Sequence, residues 1–439
     1  MPWFTESASS VSRERVEALL DRALDEARIR ICQSPKRVLL LPPDITRMHS
    51  GAGWITEHFY NRLKDSADVH VIPTLGQHEP HTREQNAQMF GEVPHERIHA
   101  HDWRGDCTYL GDVPADYVKE TTGGGADWKF PVWLNSMLMK EQWDLVINIG
   151  HVVPHEVLGF ANHNKNYFIG LGGKELICTS HMAAACCGIE NNLGNLLTPV
   201  RQCFNWAEEK FLGGLPDFYV QVVLARDAGG QLTHTGVFVG DDLETYLAAA
   251  RQARDENITV LDQPLKKVVC VMQGDEFFST WVANKAVYRT RMALADDGEL
   301  VIIAPGLKRF GEQADVDAFI RKYGYCGTPR VMELFKQNAD MQDLAHATAH
   351  LVHGSSEDRF TITYAPGHLT QSEIEGVNFR YADINEMLAR YRPERCKQGW
   401  NTTPDGERFY FIPTPSAGLW ATREKLHNRA SGFVEVRRP

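Results

Sequence analysis

The sequence predicts an α/β protein built from two α/β domains with largely parallel sheets and an active site in the cleft between them. Two observations carry this. Six short runs rich in Leu, Ile and Val recur along the 439 residues: "KRVLLLPP", "DVHVIPTLG", "WDLVINIG", "LKKVVCVMQG", "GELVIIAPG" and "DRFTITYAPG". Nearly continuous apolar runs of this length mark strands buried on both faces, and the amphipathic segments between them suit crossover helices.

The elements follow in order. The start, "MPWFTESASSVSRERVEALL", has no basic segment followed by an apolar run and becomes an amphipathic helix. The first three strands then alternate with helices, and Thr82 with Gln85 forms a capping box that starts a helix after "GQHEPH". In "LARDAGGQLTHTGVFVGDDLETYLAAARQARDENITVLDQPLKK", Gly and Asp punctuate a hairpin, and a helix leads to the second strand series. This places one domain at 1–264 and another at 265–413, with a tail, 414–439, expected to pack back on the first.

Composition excludes several classes. Apolar residues make up 43% and charged residues 23%, so the chain can bury ordinary cores. A net charge of -11 works against a phosphate-backbone interface, so nucleic acid is not an expected partner. No run of about 18 apolar residues occurs, so no membrane is expected either. The nine cysteines form no CxxC pair, and the adjacent Cys186 and Cys187 read as helix packing, so a reducing cytoplasm fits best.

In open α/β sheets ligands bind beyond the carboxyl ends of the strands. The first strand is followed by Asp44-Ile45-Thr46-Arg47, the second by Gly76-Gln77-His78-Glu79-Pro80-His81, and the third by His151 and Pro154-His155. Each group has a local explanation: Asp44 as a helix cap, His78 and His81 as turn residues. Their shared position at strand ends is what such capping does not explain. Two histidines facing one carbon could each act as acid or base near neutral pH, and Arg47 could grip a carboxylate bidentately. The expected substrate is a small anion.

GxGxxG, P-loop and HExxH signatures are missing. "HATAHLVH" puts His346, His350 and His353 at a spacing able to grip zinc, but its polar context favours a solvated helix face.

Taken together, "DITR", "GQHEPHTRE", "PHEVLGFANHNK" and "TSHM" resemble the lactate racemase family, whose members use a nickel-pincer nucleotide; Lys165 stands ten residues and His181 twenty-six residues after His155, as that family's pattern requires. The resemblance implies that Lys165 carries the nucleotide covalently, that His181 ligates nickel, and that His78 and His155 are the acid/base pair. It further implies that Asp44, Ile45, Thr46 and Arg47 line the cofactor, with Gly170, Gly172 and Gly173 near its phosphate, and that Arg47 and Lys285 bind substrate. The implied activity is inversion of a 2-hydroxy acid by reversible hydride transfer, and the implied partners are the acid and cofactor biosynthesis proteins. Two departures point away from lactate toward a larger acid such as a sugar acid: Val282 stands where a glutamine is expected, and Asn162-His163-Asn164 replaces a glycine pair. The other readings are a zinc-dependent lyase or hydrolase using His78, His81 and His155, and a binding or cofactor-carrying protein without catalysis.

Overall fold

A computed structural model describes residues 1–227, 231–274 and 277–427. By its internal contacts the chain divides into two units, Met1–Cys187 with Asn192–Asn257, and Gly188–Asn191 with Ile258–Pro439.

The first unit is built on a six-stranded sheet. Asp68–Val71, Arg37–Leu41, Leu145–His151 and Asp217–Arg226 run parallel in that spatial order. The sheet closes with Leu232–Gly240 and then Phe4–Ser7, both antiparallel to their neighbours. Every residue of Leu145–His151 is buried, which is why its sequence shows no polar alternation. Helix Arg13–Arg30 covers part of the sheet. Ser12 caps it, and Val16, Leu19, Leu20, Ala23, Leu24 and Ala27 form its buried stripe at helical spacing. The helix after "GQHEPH" is Arg83–Phe90, with the Thr82–Gln85 capping box formed.

The second unit carries another six-stranded sheet. Arg380–Tyr381, Phe360–Pro366, Leu294–Ala304, Leu265–Val271 and Arg408–Ile412 are parallel, and Gly399–Thr402 adds an antiparallel edge. The predicted alternation of strand and helix is therefore present in both units. Of the tail, Leu419–Thr422 pairs in parallel with Ile258–Leu261, while 428–439 lies outside the described residues. Among the described residues no helix is long and apolar enough to cross a membrane.

One expectation is overturned. Ala345–Gly354, the helix of "HATAHLVH", is buried along its whole length instead of solvated. Its His350 ring bonds the Tyr288 hydroxyl at 2.6 Å and the Tyr325 hydroxyl at 2.9 Å and stacks on Trp281, so both nitrogens serve packing and neither is left for zinc. The polar flanks misled the sequence reading; half of the helix itself is Ala, Leu and Val.

Candidate functional site

The strand ends of the first unit do converge. Asp44 follows Arg37–Leu41, and one carboxylate oxygen caps the turn that begins at Ile45 by accepting from the Thr46 N–H at 3.0 Å and the Thr46 hydroxyl at 2.6 Å. Its other oxygen accepts from His78 Nδ1. The cap of the turn and the partner of His78 are thus the same residue. Burial pushes the Asp44 carboxyl up, but the opposing charge and hydrogen bond of His78 hold it well below the usual carboxylate range. Because a carboxylate only accepts, a proton lies on His78 Nδ1, and when the ring is neutral the lone pair is on Nε2.

The turn bearing His78 is anchored by Gly76, at φ +58°, whose N–H donates to the Gly170 carbonyl at 2.9 Å. Gly170 ends the π-helical turn Asn166–Gly170 that follows Lys165, so the two segments are tied together directly. Gly172 is a glycine for packing, since a Cβ there would lie 2.0 Å from the Phe168 carbonyl oxygen.

His155 lies in a tight hairpin in which Pro154–His155 pairs with Gly159–Phe160. Its Nδ1 accepts from the Val157 N–H at 3.1 Å, so in the neutral ring the proton is on Nε2. In their neutral rings His78 and His155 therefore present opposite tautomers: Nε2 carries the lone pair in one and the proton in the other.

Lys165 is half-buried; burial and the Arg47 charge bring its amine down to about 8, against the pull of Glu156 and Asp44. His181, on helix Lys174–Cys187, bonds through Nδ1 to the Ile177 carbonyl at 2.8 Å, which leaves the lone pair on Nε2. Burial pushes this imidazole down to about 4, so the ring is neutral at physiological pH, the state a metal accepts. Glu156 was not anticipated from the sequence. Its charge acts on Arg47, Lys165 and His181, and its Oε1 lies 3.7 Å from His155 Nε2.

Other expected residues play different parts. Ile45 gives its N–H to His81 Nε2 at 2.8 Å, and His81 Nδ1 bonds Asn86 Oδ1 at 3.1 Å. Both His81 nitrogens are spent on holding the loop, which removes it from a zinc triad with His78 and His155. Lys285 begins helix Lys285–Thr290 in the second unit, after a break at Asn284. A cavity of about 820 Å³ lies where the strands of the first unit begin, beside Leu145 and Asp217; His163 lines it, but none of the residues expected to act in catalysis or to hold cofactor, metal or substrate does.

Asn162, His163 and Asn164 face inward. Asn162 and His163 both have positive φ, 67° and 59°, the conformation glycine adopts most readily. Asn162 offsets this by donating to the Gly150 carbonyl at 3.0 Å and accepting from Asn166 at 2.6 Å. Asn164 donates to Asn205 and Glu208, and His163 stacks on Tyr219 with ring centroids 4.2 Å apart. Arg201, fully buried on helix Pro199–Leu212, ties the segment together by donating to the Phe160 carbonyl at 2.6 Å, the Asn162 carbonyl at 3.3 Å and Asn164 Oδ1. Replacing Arg201 with methionine is expected to cost about 3–5 kcal/mol in urea unfolding, because those buried acceptors lose their donor.

Residues 5–192 match the family model described as the lactate racemase N-terminal domain. The matched span contains Asp44, Arg47, His78, His155, Lys165 and His181, so the whole cluster falls inside it. The fold extends further. A Thermotoga maritima protein structure aligns with TM-score 0.80 and 22% identity, covering 95% of this chain and 100% of that one. The lactate racemase apoprotein from Thermoanaerobacterium thermosaccharolyticum aligns with TM-score 0.65 and 16% identity, covering 95% and 94%. No curated protein matches the sequence.

Within the matched span, Lys165 should be the most reactive lysine. At pH 8 about half its amine is neutral, against roughly 0.4% for an unperturbed lysine. Brief treatment with an acylating reagent at pH 8 is expected to mark Lys165 first, as read by peptide mass spectrometry. The stability consequence has a definite sign. Between about 8 and 10.5 the unfolded chain holds more protons at this group, so its contribution to stability grows as the pH rises through that window.

Proposed function

We propose that this chain is an isomerase that inverts a carbinol carbon of a small 2-hydroxy acid, working with a nickel-pincer nucleotide carried on Lys165 and ligated by His181. The observation that supports this best is the convergence of an amine brought down to about 8, a neutral imidazole with the lone pair on Nε2, and two histidines whose neutral rings are opposite tautomers. These residues fit such a group: the amine is a nucleophile at physiological pH, imidazole suits nickel, and Arg47 suits a phosphate or carboxylate. When bound, the group would accept the hydride of the carbinol carbon and return it.

The chain's own residues do the remaining work. His78 takes the hydroxyl proton at Nε2, and Asp44 keeps it in that tautomer and stabilises the imidazolium that forms. Arg47 holds the substrate carboxylate, with Lys285 proposed as a second cation for it. His155, taken as the imidazolium, supplies a proton from Nε2 to the opposite side when the 2-oxo acid is reduced from its other face, and so ends neutral as His78 ends protonated. With the two histidines exchanging roles, the reverse inversion follows, and no external redox partner is consumed.

The test is production of the chain with and without the proteins that build the pincer cofactor. Purified samples are then screened for loss of optical purity of lactate, malate, aryl lactates and aldonic acids. Activity is expected only after the cofactor pathway is supplied, with one nickel per chain and a mass increment on the Lys165 peptide. Activity in its absence, with stoichiometric zinc, would sink this reading.

A further inference from the structure

The cavity where the strands of the first unit begin lies at the opposite end of the sheet from Asp44 and His78, and no step proposed above uses it. Its volume is about 820 Å³, within the roughly 300–1,000 Å³ of small-molecule sites. Leu145, Leu212 and Leu243 give it apolar wall, and the acids Glu208 and Asp217 line it with His163. Glu208 accepts from the Tyr219 hydroxyl and, at 2.8 Å, from the Asn164 amide; Asp217 accepts from the Tyr167 hydroxyl at 2.5 Å. All of these donors are neutral. Arg201, whose charge acts on Glu208, directs hydrogen bonds to Phe160, Asn162 and Asn164, and Arg30 at the rim is bonded to Glu26 at 2.8 Å and Asp241 at 3.3 Å. Burial pushes the Glu208 carboxyl up, and burial together with the charges of Glu208 and Asp241 pushes Asp217 up to about 7. Two neighbouring carboxylates in this state are ionised more readily once a cation arrives between them.

His163 points to the same need from a different side. Its ring is 1% exposed and stacks on Tyr219, yet neither of its nitrogens has a hydrogen-bond partner. Burial and the Arg201 charge hold it well below the usual histidine range, so the ring is neutral and carries one N–H and one lone pair, both unmet. A buried polar side chain left without partners calls for a group that completes it. The cation is organic: among the described residues no three His, Cys, Asp or Glu side chains are grouped to hold a metal ion, and the apolar wall suits a carbon skeleton. We propose that this cavity is a second ligand site, separate from the strand-end cluster, that takes a small organic ammonium ion, whose charge is met by Glu208 and Asp217 while a ring nitrogen of His163 accepts one of its N–H groups. The proposal stands independently of the racemase reading.

The experiment is calorimetric titration of the purified chain with 2-phenylethylamine and with putrescine, each against its uncharged counterpart, 2-phenylethanol or 1,4-butanediol. At least one amine is expected to bind about tenfold or more tightly than its counterpart, because only the ammonium meets the two carboxylates. Asp217→Asn, which keeps an acceptor for Tyr167, should weaken that amine about tenfold. His163→Phe, which keeps an aromatic ring against Tyr219 but has no nitrogen, should weaken it about threefold or more. Binding of neither amine, equal binding of amine and alcohol, displacement of the amine by equimolar magnesium, or an affinity unchanged in either variant overturns the proposal. If a variant fails to fold by circular dichroism, hydrogen exchange of the wild type decides. The amine, and not the alcohol, is expected to slow exchange in 205–217 and 241–243, and protection confined to the turns at 44–50 and 76–81 refutes the assignment.

Discussion

Changing Lys165 to methionine is expected to reduce inversion of any 2-hydroxy acid by about 10⁴-fold or more in kcat/KM, while the protein remains folded. The loss is large because the proposed tether would convert cofactor binding into a fixed intramolecular arrangement, and such positioning accounts for a large share of enzymatic rate. The fold should survive because burial already disfavours the charged amine, bringing it down to about 8. A neutral side chain of similar length removes that cost. The same variant should lack the mass increment found on the Lys165 peptide of wild-type protein made with the cofactor pathway. Optical purity and peptide mass together separate loss of the tether from loss of the fold. Full activity in an unmodified Lys165→Met protein would contradict the assigned role.

Asp44→Asn is the second large effect, expected at about 10²–10⁴-fold in kcat with a much smaller change in KM. The carboxylate can only accept, so it fixes the proton of His78 on Nδ1. An amide can donate instead, which favours the tautomer with the proton on Nε2 and leaves no base facing the substrate. His78→Asn should lose a similar factor, and the double variant little more than either alone, because the two act as one unit. The charge of Asp44 lies well below the usual carboxylate range and persists across the working pH range. The acid limb of a pH–rate profile is therefore expected to report a histidine and not Asp44. Steady-state kinetics on loaded protein across pH checks both points.

Much of this site was legible in the sequence because open parallel sheets place chemistry at strand ends. The runs ending at Leu41, Val71 and His151 are strands as read, and the groups that follow them, Asp44 and His78, meet through a hydrogen bond. Reading Asp44 as either a cap or a partner for a strand-end group set up a false choice, since one oxygen caps the turn and the other holds His78. What stayed hidden were effects that depend on distant partners. Glu156 in "PHEVLGF" looks like an ordinary surface acid until Arg47, Lys165 and His181 are brought around it. The left-handed backbone at Asn162 and His163 cannot be inferred from non-glycine residues. It is held by Gly150, Asn166 and Arg201, which lie up to about 40 residues away in sequence. The pairing of Phe4–Ser7 with Leu232–Gly240 joins segments more than 200 residues apart, beyond the reach of any local pattern.

The most direct measurement uses enantiopure 2-hydroxy acids, lactate and threonate, carrying deuterium at carbon 2. These are incubated in ordinary water with protein made alongside the pincer pathway, and the products are read by chiral chromatography and mass spectrometry. Transfer and return of a hydride within the closed site is expected to yield the inverted acid with deuterium still on carbon 2. Inversion accompanied by loss of the label to water would show that a proton leaves the carbon. That result, or an absence of inversion in a chain loaded at Lys165, would contradict hydride transfer at this site.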